Sequence, residues 1–188
     1  MLVANAPHIP IHLGSMSESI RTVLRENAGK MKPGDVFVVN APYNGGTHLP
    51  DVTVITPIFD DAGDDILFFV ASRGHHADIG GITPGSMPPD SKVVEEEGIL
   101  FDNFMLVDGG EFLEDKLRKH LADHPYPARN PDHNIADLKA QIAAGAKGVQ
   151  EVHKMIDQFG LDVVHAYMRH VQDNAEEQVR RVIDIMQD

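Results

Sequence analysis

Two apolar runs joined by an acidic turn form the clearest pattern along the chain. Residues 52–59 are a β-branched run of strand length, and residues 66–71 form a second apolar run. The intervening sequence Asp-Asp-Ala-Gly-Asp-Asp, at residues 60–65, is typical of a turn. We therefore predict an antiparallel β-hairpin in which the start of the first strand lies beside the end of the second.

Shorter elements are predicted on the N-terminal side of this hairpin and directly after it. Residues 2–14 favour short strand and loop, and Ser17 is a suitable N-cap for a helix over residues 18–28. Residues 36–40 are a short apolar run that predicts a buried strand. Residues 80–89 are rich in Gly and Pro, and an irregular segment of this length inside an ordered domain is more often a binding loop than a linker.

A helical period replaces the strand pattern after about residue 113. Asn130 followed by Pro131 is a good signal for the start of a helix, because Asn caps the first turn and Pro fits its first position. Apolar residues then recur at helical spacing as far as Gly160, and Asp162 is predicted to cap a final helix. We expect two long amphipathic helices in this part of the chain.

These elements together predict an α+β fold. Residues 1–112 form its β-rich, loop-rich part around the central hairpin, and residues 113–188 form a helical region of the same domain. The chain begins abruptly in apolar residues, which is unusual for a free amino terminus. We therefore expect it to be a fragment of a larger domain.

The composition excludes several classes of function. The chain of 188 residues carries a formal net charge of -13, so a phosphate-backbone partner such as nucleic acid is not expected. It has no Cys, which excludes disulfides, thiolate metal ligands and a Cys nucleophile. No segment reaches the roughly 20 apolar residues of a membrane span, and the first residues lack the pattern of a signal peptide. We therefore expect a cytoplasmic protein with no membrane partner.

Residues with metal-binding and acid–base chemistry are concentrated at the two segments that the hairpin brings together. His48 and Asp51 stand at the start of the first strand, and His75, His76 and Asp78 follow the second. Imidazoles and a carboxylate that converge from separate segments suit a divalent cation with open positions for substrate. The alternative is that these polar residues only cap the strand ends.

Other polar residues are weaker candidates. Three roles are open for His12: a further metal ligand, a donor that orients a ligand, or a structural histidine. His8 is a weaker candidate than His12. Ser86 is interpreted as a turn-stabilising hydroxyl, with a substrate contact as the alternative. Glu96 and Glu97 are interpreted as a solvated acidic turn, with acid–base catalysis as the alternative.

Several motifs resemble those of the hydantoinase B / 5-oxoprolinase family. The longest are Gly-Gly-Thr-His-Leu-Pro-Asp at residues 45–51, Ser-Arg-Gly-His-His-Ala-Asp-Ile-Gly-Gly at residues 72–81 and Pro-Gly-Ser-Met-Pro at residues 84–88. Shorter matches extend the resemblance over nearly the whole chain, at residues 2–8, 33–36, 40–46, 96–98, 129–131 and 137–141. Many relatives have Asp where this chain has Ala41, so any role for that carboxylate is absent here.

The resemblance implies ATP-dependent opening of a five-membered cyclic amide, 5-oxo-L-proline, to L-glutamate. It also implies a partner, a hydantoinase A-type ATPase half that phosphorylates the amide oxygen. No Gly-x-x-x-x-Gly-Lys-Ser/Thr phosphate loop occurs in this sequence, so ATP and Mg are expected on the partner. Members of the family run far longer at both ends. The chain is therefore expected to be inactive without the partner and the missing segments.

The resemblance implies a metal site as well. Related ketone carboxylases hold a divalent metal in a similar component, with Mn, Zn or Fe as the metal. By motif the ligands fall on His48, Asp51 and the first His of Gly-His-His, which favours His75, with His76 as the alternative. Such a metal polarises an amide carbonyl or activates a water molecule. His76 and Asp78, beside the ion, are expected to act as general base or to orient a ligand imidazole.

Two other functions fit the same sequence. A ketone-carboxylase-type component would depend on bicarbonate. A catalytically silent interaction fragment would use its two long helices to dock a partner, and the His and Asp cluster would be structural. Edges exposed by truncation are prone to associate, so we expect an oligomer.

Overall fold

The computed structural model describes residues 2–4 and 12–187. The elements in chain order are α1 (His12–Glu26), β1 (Val36–Val39), β2 (Asp51–Phe59), β3 (Ile66–His75), α2 (Val94–Glu97), β4 (Phe104–Asp108), β5 (Glu111–Phe112), α3 (Glu114–Ala122), α4 (Pro131–Phe159) and α5 (Leu161–Gln187). The strands form one antiparallel sheet in the order β3-β2-β1-β4-β5. The predicted α+β fold is confirmed.

The described chain forms two compact units. Residues 14–149, which contain the whole sheet, α3 and most of α4, form one unit. The described residues before 14 and those after 149, which include α5, form the other. The helix α3 and the first part of α4 therefore belong to the same unit as the sheet.

Alternation of side chains gives the sheet two apolar faces. The first face packs against α3 and α4 in a cluster that includes Val38, Val54, Leu117, Leu121 and Leu138. The second face packs against α1 in a cluster of Val23, Phe37, Val39 and Ile55. Strands β1 and β2 are buried on both faces, which explains why their sequences are nearly continuous apolar runs.

The hairpin is confirmed, and its second strand is longer than predicted. Strands β2 and β3 pair from the Asp51–His75 pair to the Phe59–Ile66 pair. Residues 60–65 form the turn, where Asp60 accepts hydrogen bonds from two backbone N–H groups that follow it. Strand β3 continues four residues past the predicted end at residue 71, and this extension carries His75 into the sheet.

The first helix begins earlier than the sequence predicts. Helix α1 starts at His12, so residues 12–14 are helical and Ser17 lies inside the helix instead of capping it. The remainder of the predicted opening, residues 5–11, lies outside the described residues. A serine weakens a helix interior unless its hydroxyl finds a partner. In α1 the hydroxyls of Ser15 and Ser19, on either side of Ser17, accept hydrogen bonds from Arg73 of β3. Those contacts depend on the tertiary fold, which local sequence does not reveal.

The long C-terminal helices are confirmed, with one cap placed wrongly. Helix α4 begins at Pro131, and Asn130 Oδ1 accepts a hydrogen bond from a backbone N–H of the first turn at 3.4 Å. Gly160, with a φ of +82°, ends α4 as predicted. Helix α5 starts directly after it, so Asp162 lies in the first turn, where its negative charge interacts favourably with the positive end of the helix dipole.

In the described part of the chain, no helix combines the length and apolarity needed to cross a membrane.

Candidate functional site

The open end of the hairpin brings the predicted ligands together. In the register of β2 and β3, Asp51 lies directly opposite His75, and Thr53 lies opposite Arg73. Alternate residues of a strand share a face, so these four side chains lie on one face of the sheet. Farther along the strands, α1 covers that same face. The prediction that the start of the first strand lies beside the end of the second is therefore confirmed.

His48 joins this cluster from the loop before β2. Its Nδ1 lies 2.8 Å from Asp51 Oδ2, and its ring centre lies 5.1 Å from the ring centre of His75. The Asp51 side chain is 4% exposed and also accepts a hydrogen bond from Thr47 Oγ1 at 3.1 Å, whereas the His48 side chain is 39% exposed. His75 is exposed as well. We call His48, Asp51 and His75 the hairpin-end cluster: one buried carboxylate with two accessible imidazoles.

The donor set of the hairpin-end cluster fits a divalent cation, since two imidazoles and a carboxylate are common ligands of Zn, Mn and Fe. In the described residues, however, no three side chains of His, Asp or Glu are already arranged around a common point. Binding would therefore require these side chains to turn from their present contacts, among them the bond between His48 and Asp51.

Two features fix the loop that leads into β2. Asn40 is fully buried at the end of β1, where its Nδ2 donates to the carbonyl oxygens of Leu49 at 2.8 Å and Ile99 at 3.0 Å. Its Oδ1 accepts from the Phe101 N–H at 2.6 Å. Gly46 passes so close that a Cβ there would lie 2.2 Å from the Asn40 carbonyl oxygen. The loop can take this path only because residue 46 has no side chain.

His76 packs against α4, away from the hairpin-end cluster. It is 1% exposed, its Nδ1 accepts from Asn134 Nδ2 at 3.0 Å, and its Nε2 lies 3.3 Å from Gln141 Oε1. Since an amide nitrogen only donates, Nε2 carries the ring proton and donates to Gln141. Burial, the largest influence, lowers the pKa of His76, so the ring is neutral at pH 7. Its general-base role stays a prediction, because both ring nitrogens are already engaged within the protein.

The buried imidazole predicts a loss of stability in mild acid. The pKa of His76 is lowered by burial from its ordinary value of 6.5, and burial also lowers that of His120, so the unfolded chain binds more protons below pH 6.5. The free energy of unfolding should hold from pH 8 to 7 and then fall, by at most about 1.4 kcal/mol per pH unit for each histidine. Urea unfolding between pH 8 and 5 measures this decline. His76→Gln should reduce its slope, and an unchanged slope would contradict the assignment.

Asp78 is engaged in an ion pair. Its Oδ2 lies 2.6 Å from Arg129 Nη1, and its Oδ1 accepts from the backbone N–H groups of Gly80 at 3.0 Å and Arg129 at 3.1 Å. Burial alone would raise the pKa of Asp78, but these hydrogen bonds and the charge of Arg129 together lower it. A carboxylate with a lowered pKa is a weak base. The pair joins the exit of the hairpin to the segment before α4, and the catalytic role of Asp78 stays a prediction.

The weaker candidates have structural contacts where they are described. Ser86 is 2% exposed, and its Oγ accepts from the Ile79 N–H at 2.7 Å and donates to a backbone carbonyl, which agrees with a turn-stabilising hydroxyl. Glu96 and Glu97 lie in the short helix α2 and accept hydrogen bonds from nearby residues of their own loop. His12 is the first residue of α1, where its ligand or orienting role stays a prediction. His8 lies outside the described residues.

Sequence reasoning missed three polar residues that shape the site: Asn40, Arg73 and Gln141. Gln141 Nε2 donates to the carbonyl oxygens of Val52 and Ser72, both at 3.0 Å, and so ties α4 to both strands of the hairpin. The one available signal was that all three lie inside motifs of the family resemblance. That signal does not say which residue of a motif is buried or what it contacts.

Comparison with known proteins assigns the class. The sequence profile of the Hydantoinase B/oxoprolinase family matches this chain over residues 1–188. The chain therefore belongs to the Hydantoinase B/oxoprolinase family.

Individual relatives agree with this class. The chain is 52% identical over 182 residues to a 5-oxoprolinase of Dictyostelium discoideum. The aligned region covers 97% of this chain and 14% of the relative. It is 31% identical over 175 residues to a putative D-/L-hydantoinase subunit of Pseudomonas sp. (strain NS671), with coverage of 91% and 28%. The crystal structure of an ATP-dependent caprolactamase from Pseudomonas jessenii superposes with a TM-score of 0.81 at 30% identity, over 93% of this chain and 29% of that one. The chain thus spans a minor share of each relative.

Proposed function

We propose that this chain carries the ring-opening site of an ATP-dependent cyclic amide hydrolase, and that the ring is 5-oxo-L-proline, which is opened to L-glutamate. The observation that carries the proposal is the hairpin-end cluster, in which His48 and His75 stand accessible beside a buried Asp51. The similarity to a 5-oxoprolinase at 52% identity supports the choice of ring.

The hairpin-end cluster is proposed to hold a divalent cation of Mn, Zn or Fe. His48, Asp51 and His75 would be its protein ligands, and three protein ligands leave coordination positions open. When bound, such an ion would polarise the amide carbonyl or lower the pKa of a water molecule. Both effects address the same obstacle, which is that an amide carbonyl is a poor electrophile.

The chain's own residues are proposed to hold this site in place. Before a cation binds, the contact between Asp51 Oδ2 and His48 Nδ1 keeps these two proposed ligands together at the end of the hairpin, and cation binding would replace it. His76 secures the end of β3 to α4 through Asn134 and Gln141. We therefore assign His76 a positioning role in preference to proton transfer.

The proposed partner is a hydantoinase A-type ATPase half that binds ATP and Mg. A relative that is named as one subunit of a hydantoinase supports the presence of a second component. The chain also covers only 14% of the length of the Dictyostelium 5-oxoprolinase, so the complete enzyme needs additional protein. The ATPase half would phosphorylate the amide oxygen and so make the ring carbon more reactive.

The test is turnover by the chain assembled with its ATPase half and flanking segments. Incubation with 5-oxo-L-proline and ATP should yield L-glutamate and ADP in equal amounts, with or without bicarbonate. A strict requirement for bicarbonate would favour the carboxylase alternative. Stable assembly without any turnover would favour the silent interaction fragment. Either result would contradict the proposed hydrolase.

A further inference from the structure

An arginine lies beside the hairpin-end cluster on the same face of the sheet. Arg73 is opposite Thr53, two register positions from the Asp51–His75 pair. Two residues along a strand span about 7 Å. A small ring compound that contacts the hairpin-end cluster can therefore reach Arg73 with a substituent.

Three hydroxyl groups from two elements hold the Arg73 guanidinium. Its Nε donates to Thr53 Oγ1 of β2 at 2.7 Å. Its Nη2 donates to Ser19 Oγ of α1 at 2.9 Å, and its Nη1 donates to Ser15 Oγ of the same helix. These contacts fix the plane of the guanidinium before any ligand arrives, and such preorganisation reduces the entropy lost on binding.

These three contacts hold the Arg73 guanidinium close to Asp51 of the hairpin-end cluster. The three hydroxyl groups carry no net charge, and the Asp51 carboxylate of the hairpin-end cluster also acts on Arg73. A divalent cation bound by Asp51 would add two positive charges beside it. The region would then attract an anionic group.

The relatives differ in whether their named substrates carry such a group. The ring of 5-oxo-L-proline bears a carboxylate, whereas caprolactam is a neutral lactam. A guanidinium pairs with a carboxylate through planar, charge-assisted hydrogen bonds. We propose that Arg73 binds the carboxylate of a carboxylated cyclic amide and so determines the preference for charged over neutral rings. This inference rests on the proposed function of the hairpin-end cluster.

The test measures binding, so that it does not depend on turnover. The assembled enzyme, without ATP, is titrated with 5-oxo-L-proline and with 2-pyrrolidinone, the same ring without the carboxylate. The parent should bind the carboxylated ring more tightly. Arg73→Gln should weaken binding of 5-oxo-L-proline by about 10- to 100-fold, the effect of one lost charge-assisted contact, and change binding of 2-pyrrolidinone by less than about 3-fold.

Two further variants make the result specific. Arg73→Lys keeps the positive charge but not the planar guanidinium, so it should lose only part of the preference for 5-oxo-L-proline over 2-pyrrolidinone. This variant replaces Arg73→Gln in the test if Arg73→Gln does not fold. Arg21→Gln removes an exposed arginine of α1 that pairs with Glu18 and should leave both affinities unchanged.

The outcomes separate a binding residue from a structural one. An equal loss for both rings would show that Arg73 only clamps α1 to the hairpin, and would overturn the proposal. A parent that binds 5-oxo-L-proline no more tightly than 2-pyrrolidinone would overturn it as well. Loss of turnover in hairpin-end variants is a separate result, so a failure of the proposed function is distinguishable from a failure of the Arg73 assignment.

Discussion

Replacement of either exposed imidazole of the hairpin-end cluster is expected to abolish most of the activity. His48→Ala and His75→Ala should each lower the rate of ATP-dependent ring opening by about 100-fold or more, because loss of a group that only orients a metal ligand already costs 10- to 100-fold. The measurement is release of L-glutamate by the assembled enzyme. Since both side chains are substantially exposed, their removal should change the free energy of unfolding little.

A matched variant distinguishes this effect from general loss of a histidine. His133 is exposed on α4, and His133→Ala should alter the rate by less than about 2-fold. Asp51→Asn should resemble the two imidazole variants, because it removes the charge of the buried carboxylate while nearly preserving its volume. Rates close to that of the parent for all three hairpin-end variants would show that ring opening occurs elsewhere.

The largest effect on stability is expected at Asn40. Asn40→Ala removes the three hydrogen bonds that join the end of β1 to Leu49, Ile99 and Phe101. Each buried backbone group left without a partner costs about 1–3 kcal/mol, so the free energy of unfolding should fall by about 3–5 kcal/mol. Urea unfolding at pH 8 measures the change.

Two controls refine the Asn40 experiment. Asn40→Asp keeps an acceptor for the Phe101 N–H but loses both donors, so it should also destabilise the fold. Asn174→Ala, at an exposed position of α5, should change the free energy of unfolding by less than about 0.5 kcal/mol. A loss below about 1 kcal/mol for Asn40→Ala would mean that water or a local shift replaces these bonds.

The hairpin was predictable because its information is local. A six-residue turn between two apolar runs determines that the two strands pair, but a register shift between Ile58 and Phe59 is also needed to place Asp51 opposite His75. It was harder to predict that His75 faces the hairpin-end cluster and that His76 faces away from it. Adjacent residues of a strand point to opposite faces, but which of the two faced the cluster depended on where β3 ended. Sequence placed that end at residue 71, whereas the strand continues to His75.

Contacts between distant segments explain what the sequence did not reveal. The partners of Asn40 lie 9, 59 and 61 residues away, and Arg73 bonds to Ser15 across 58 residues. Local periodicity carries no record of such contacts. Ser17, which suits a cap in isolation, lies inside α1 between Ser15 and Ser19, the two serines that hold Arg73.

The hairpin-end cluster is tested most directly by the metal content of the protein. The chain is purified without a histidine tag, and elemental mass spectrometry is performed on the parent and on a folded variant that combines His48→Ala with His75→Ala. We predict about one divalent ion per chain in the parent and none in the variant. A well-folded parent that contains no metal, or a double variant that retains it, would contradict the assignment of the hairpin-end cluster as the metal centre.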